Sequence, residues 1–224
     1  MKRFQNILVG IELHPTEEFT HARPVPASLA ALERAIELAK TNGARLTLFS
    51  AVGLLGPSPL VTPDQIETAR RNIHKSATDA LAQLVQEVEA KGVKTRSRVT
   101  FGRGWFEIVR QVLVERHDLV IVGSREIAEL KRVIVGSTAA KLLRKCPCAV
   151  WVTKPQPVLE ISTILAATDF GDVSKFASGL AASLAQTHSA QLHLLHCAEY
   201  PSEIALKWGL VPSEYRNDYR QRVY

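Results

Sequence analysis

Short continuous apolar runs, each followed by a segment of helical periodicity, narrow the architectures open to this chain more than any other feature. Ile7-Leu8-Val9-Gly10-Ile11 is the first such run, and Asp118-Leu119-Val120-Ile121-Val122 is the most hydrophobic. A run that is apolar at every residue suits a strand buried on both faces, as in a parallel sheet. Arg45 to Val52 and Ala149-Val150-Trp151-Val152 read as further strands. Val93 to Thr100 alternates instead, with Thr95, Ser97 and Val99 on one face and Lys94, Arg96 and Arg98 on the other. That pattern suits an edge strand or one partly open to water.

The intervening segments carry helix signals. Leu29, Leu32, Ile36 and Ala39 recur at helical spacing, with Ser28 the expected N-cap and Asn42-Gly43 the stop. Pro63 opens a second helix, which carries Ile73, Ala77, Ala80, Leu81, Leu84 and Val88 on one side and ends before Gly92. Trp105, Ile108, Val109, Val112 and Leu113 mark a third helix, and Ser137 to Lys145 a fourth. Residues 14–25, 53–63 and 124–135 read as loops. The order predicts an open parallel five-stranded sheet with helices on both faces and right-handed crossovers. Ligands of such sheets sit beyond the carboxyl ends of the strands, where strand order reverses. Any site is therefore expected at Glu12, at Ser50 to Gly53 and around Gly123.

The beginning of the chain is then repeated. After a proline-marked linker at 155–160, Ile164-Leu165-Ala166-Ala167-Thr168-Asp169 matches Ile7 to Glu12, and a helix from about Ser174 to Gln186 matches the first helix. Gln191 to Cys197 matches the second strand, and 201–224 reads as a polar, helical tail. The domains expected are a complete one at 1–154 and an incomplete copy at 161–224, with two strands where the first has five. Such a copy cannot bury its apolar faces alone. It is expected to pack on the first domain or on another chain, as part of a natural or a truncated tandem protein.

Composition removes several function classes. With 46% hydrophobic and 22% charged residues, a core of ordinary size is available. The formal charge of +6 is spread along the chain, which makes nucleic-acid binding an improbable main role. Cys146, Cys148 and Cys197 form no disulfide framework, and Cys146-Pro147-Cys148 is not a C-x-x-C motif; the thiols are expected to need no special role. No signal region or bilayer-spanning apolar stretch is seen, so a cytoplasmic protein is expected. His193 and His196, three apart on a strand, face opposite sides and make no metal pair. Trp105 and Trp151 are expected to pack, and Asp118 to enter a strand.

One stretch carries chemistry. It runs through Gly123-Ser124-Arg125-Glu126, then Lys131 to Thr138 with Gly136-Ser137-Thr138, then Cys146-Pro147-Cys148-Ala149-Val150. A glycine turn after a strand admits close approach of phosphate oxygens, and a helix opening at Gly136-Ser137-Thr138 points N–H groups and its positive end at an anion. Together with Ile7 to Glu12, this stretch resembles the universal stress protein family, across the whole first domain and again through the partial second one. The resemblance implies an adenine nucleotide alpha hydrolase-like fold, plus a partial second copy. It implies ATP, with Mg²⁺, held by Gly123, Ser124, Arg125, Gly136, Ser137 and Thr138, with Glu12 and Ala51 flanking the adenosine. Arg125 and Lys131 add positive charge. Two departures stand out: Glu126 replaces the middle glycine of the family motif, and Glu12 stands where the family usually has Asp. Asp169 keeps that Asp in the second copy.

The leading expectation is a stress-response binding or regulatory protein, not an enzyme, that binds ATP or another adenine nucleotide. The alternative is a ligand-free assembly module. Either way, the resemblance implies a homodimer through the last strand of the first domain, with Val150, Trp151 and Val152 at the pairing edge. A third possibility, slow nucleotide hydrolysis with Glu12 or Glu126 holding a metal, lacks a convincing catalytic pair.

Overall fold

A computed structural model of the chain describes residues 3–15, 21–53, 62–127, 132–134, 136–154 and 160–197. The chain divides into two compact units, residues 1–159 and 160–224.

In the first unit, β1 (Asn6–Gly10) is followed by a hairpin of β2 (Leu13–Pro15) and β3 (Ala22–Pro24). Next come α1 (Pro26–Asn42), β4 (Arg45–Val52), α2 (Pro63–Ala90), β5 (Thr95–Phe101) and α3 (Gly104–Glu115). Then follow β6 (Leu119–Gly123), a second small hairpin of β7 (Arg125–Ile127) and β8 (Arg132–Ile134), α4 (Ser137–Lys145) and β9 (Ala149–Thr153). The main sheet is parallel with order β5-β4-β1-β6-β9, so strand order reverses between β1 and β6. Two successive crossovers run one way and two the other. With right-handed connections this puts α1 and α2 on one face and α3 and α4 on the opposite face.

The core follows the strand alternation. Leu8, Phe49, Val120 and Val122 gather with Ile108 and Val112 of α3 and Ala139 and Leu142 of α4. Ile7 and Val9 point to the opposite face and are fully buried. Each apolar side chain enclosed in this way contributes about 1.5–3 kcal/mol of transfer free energy.

Helix ends follow local chemistry. Pro26 occupies the first turn of α1, so the N-cap is Val25 and not Ser28; the fixed φ of proline starts the helix earlier than the apolar period suggests. Gly43 closes α1 in the left-handed conformation at φ 65°. Thr62 and Gln65 form a reciprocal capping box before α2. The loops expected at 14–25 and 124–135 each contain a short antiparallel pair, a tertiary closure that leaves no long alternating run to read.

A polar network pins the amino ends of the strands. The Asp118 carboxylate accepts the Gln5 N–H at 2.7 Å and the Asn6 N–H at 3.2 Å. Asn6 donates to the Glu115 carbonyl at 2.8 Å and accepts from Arg45 Nε at 3.2 Å. β5 is an edge strand, and its Arg96 and Arg98 both reach Glu115 of α3, so the basic face is partly neutralised. Beside them His117 is buried, with Nε2 3.1 Å from Thr47 Oγ1.

The second unit holds β10 (Thr163–Ala167), α5 (Asp172–His188) and β11 (Gln191–Leu195), with the two strands parallel. The tail at 198–224 and the linker at 155–159 lie outside the described residues.

The His117 environment generates a pH prediction. Burial first, then the neighbouring Arg96 and Arg45 guanidiniums, push its pKa down to about 4, against the opposing Asp118 charge. The unfolded chain binds a proton near pH 6.5, while the folded chain does not until about pH 4. The neutral imidazole's contribution is therefore intact above pH 6.5 and is lost as pH falls toward 4. His117→Gln should flatten the decline of urea-unfolding stability across that window by on the order of 1–2 kcal/mol, allowing for solvent screening. An unchanged pH slope would remove His117 as its source.

Candidate functional site

A cavity of about 510 Å³ opens beyond the carboxyl ends of β1, β4 and β6. It lies where strand order reverses, the position at which open parallel sheets hold ligands. Its walls come from several elements. β1 ends on it with Ile11 and Glu12, and β4 with Ser50 to Gly53. The β2–β3 hairpin gives Leu13 and Ala22, and α1 gives Ala27 and Ser28. α2 gives Ile73, Ser76 and Ala77, and β6 and α4 give Gly123, Thr138 and Ala139. The size lies in the range of small-molecule sites.

The local bonding explains how the walls are held. Ser28 is buried and its Oγ accepts the Glu12 N–H at 2.8 Å. The Glu12 carbonyl in turn accepts the Val25 N–H at 3.1 Å, so α1 clamps the backbone of Glu12 while its side chain stays exposed at the mouth. Gly123 is dictated by packing. A methyl group added there would overlap the Ala27 carbonyl and lie 2.7 Å from the Ala27 Cβ. Gly136, by contrast, faces open space. It is the N-cap of α4, with φ −57° and no side-chain cap bond. The first amides of α4 are thus not closed off by a capping side chain, and Ser137 is exposed one position into the helix. Ser76 is buried, and its Oγ has no hydrogen-bond partner.

Four of the sequence-predicted residues, Glu12, Ala51, Gly123 and Thr138, meet at this cavity. Gly136 and Ser137 begin the helix that brings Thr138 to it. Ser124 is turned elsewhere: its N–H and Oγ both donate to the Thr153 carbonyl, at 2.7 and 2.8 Å, tying the end of β6 to β9. Arg125 and Glu126 lie in β7, and their side chains, with Lys131, fall outside the described residues. Asp169 is in the second unit, where Oδ1 accepts the Gly171 N–H at 2.9 Å before α5. Hydrogen bonds from Ser174 and Gly171 hold its carboxyl below the usual range. Val150, Trp151 and Val152 lie in β9, the other edge of the main sheet, with Arg34 stacked 5.7 Å over Trp151. Among the described residues no group of three metal-binding side chains occurs, and no helix is long and apolar enough to cross a membrane. Ser28, Ser76 and the β2–β3 hairpin are additions that sequence reading missed.

Residues 3–154 match the profile of the universal stress protein family. The chain belongs to the universal stress protein family. Curated relatives include universal stress protein E of Photorhabdus laumondii, 28% identical over 159 residues, covering 70% of this chain and 47% of the relative. Universal stress protein E of Escherichia coli is 26% identical over 183 residues, covering 80% and 54%. The chain thus spans about half the length of these relatives. Among solved structures, UspA of Lactobacillus plantarum matches with TM-score 0.53 and 25% identity, over 67% of this chain and 97% of that one. A universal stress protein of Archaeoglobus fulgidus matches with TM-score 0.66 and 20% identity, over 92% and 71%. The five-stranded α/β architecture is therefore that of this family.

The two serine and glycine roles at the end of β6 are separable. Gly123→Ala should destabilise urea unfolding by about 1–3 kcal/mol through overpacking on Ala27. Ser124→Ala should cost about 1 kcal/mol through its lost bond to Thr153. A Gly123→Ala variant as stable as wild type would overturn the packing account.

Proposed function

We propose that this chain is a stress-response binding protein whose first unit takes an adenine nucleotide in the switch-point cavity. The observation that carries this reading is the junction of a half-open, largely apolar cavity with the uncapped amino end of α4, through Thr138. The inner wall of Ile73, Ala77 and Ile108 suits the faces of a purine. The orphan Ser76 hydroxyl offers a hydrogen bond to a ring heteroatom, which would relieve its own desolvation. Glu12 at the mouth is placed to accept from ribose hydroxyls. The amides of Ser137 and Thr138 and the positive end of α4 favour the phosphates, and Mg²⁺ would enter as the partner of a triphosphate. The function is binding with a regulatory consequence, not turnover.

Full-length protein titrated calorimetrically with ATP and Mg²⁺ should give saturable heat. Gly136→Asp, which sets a carboxylate at the mouth of α4, should weaken the affinity by about tenfold or more, roughly 1.4 kcal/mol. No heat and no thermal shift at millimolar ATP would favour the ligand-free assembly reading.

The edge position of β9 favours a compatible second property, homodimerisation by strand pairing across a two-fold axis. Sedimentation should show a dimer at micromolar concentration that is weakened by Val152→Pro, which removes a backbone donor. A monomer throughout that range would rule it out.

A further inference from the structure

We propose that Cys146 and Cys148 form a peroxide-sensing dithiol that closes to a disulfide within one chain. The two sulfurs lie 3.6 Å apart, within thiol contact, although the sequence spacing matches no familiar redox motif. Both thiols are half-buried, so a small oxidant has access to them. They occupy a mechanical junction. The Cys146 N–H closes the last turn of α4 on the Leu142 carbonyl at 2.9 Å, and Cys148 immediately precedes β9. Both side chains rest on the same core cluster as Val150 and Val152.

The pair is chemically asymmetric. Hydrogen bonding from Cys148 draws the Cys146 thiol down to about 7, whereas the same contact, burial and the Asp118 charge push Cys148 up. The negative end of α4 opposes a thiolate at Cys146, and the last turn of that helix carries the basic residues Arg144 and Lys145. Cys146 is thus the attacking sulfur and Cys148 the resolving one. The Cys146 thiolate attacks hydrogen peroxide, the O–O bond breaks, and hydroxide leaves and takes up the thiol's proton as water. Cys146 is then a sulfenic acid. Cys148 attacks that sulfur, the S–O bond breaks, and the departing hydroxide takes the Cys148 proton as a second water. Two thiols and one peroxide become one disulfide and two waters. The contact shortens from 3.6 Å to a covalent bond of about 2.05 Å, drawing the end of α4 toward the start of β9.

The test uses reduced full-length protein, titrated with hydrogen peroxide and followed by thiol counting and non-reducing peptide mass spectrometry. Reactive thiols should fall from the three present to one. The peptide carrying both cysteines should lose about 2 Da, the two hydrogens lost on disulfide formation, and recover them with a dithiol reductant. Cys148→Ser should trap a dimedone adduct on Cys146, and Cys146→Ser should slow peroxide consumption by about tenfold. Persistence of both thiols under equimolar peroxide would overturn the proposal, and so would a disulfide running between chains or through Cys197.

Discussion

The approach of Gly123 to the carbonyl of Ala27 is the contact on which the cavity depends. It brings the end of β6 against the start of α1 with no side chain between them. α1 is thereby placed so that Ser28 reaches the Glu12 amide, which sets the exit of β1. Any side chain at position 123 would lift α1 from the sheet and separate Glu12 from β6. A glycine expected for its tolerance of phosphate is thus required first by the packing of helix on strand.

At the amino ends of the strands, Asp118, Asn6, Arg45 and Glu115 satisfy one another, and the imidazole of His117 is held neutral among them. At the carboxyl ends, the unpartnered Ser76 hydroxyl lines the cavity, and α4 starts without a side-chain cap. A buried hydroxyl without a partner is costly, and Ser76 carries that cost on the wall of the cavity.

Much of this was legible in the sequence, because strands buried on both faces and glycine or proline helix signals depend on local chemistry. The parallel sheet and the placement of Glu12, Ala51 and Gly123 at its carboxyl ends follow from the alternation of strands and helices, whereas the spatial order β5-β4-β1-β6-β9 comes from the structure. What escaped was set by tertiary approach. Ser28 looks like an N-cap until Pro26 starts the helix earlier and frees its hydroxyl for Glu12. Ser124 looks like a phosphate ligand until β9 arrives beside it with the Thr153 carbonyl. Cys146 and Cys148 look like unrelated thiols because spacing does not reveal how a turn through Pro147 brings the sulfurs together.

The second unit shows why an acidic residue after the first strand is not a site by itself. Leu8 is wholly enclosed, but its counterpart Leu165 is 66% exposed, and Leu194, Phe170 and Phe176 are also open. Among the described residues of this unit, two strands and one helix supply a layer for one face of the sheet. The cavity in the first unit is made between β1 and β6, and β6 with α4 has no counterpart among the described residues of the second. Asp169 spends its carboxylate on the Gly171 amide in a local turn, whereas Glu12 lines a cavity. The same position in the repeat sits in a local turn in one unit and beside a cavity in the other, because a switch point requires a strand on each side of it.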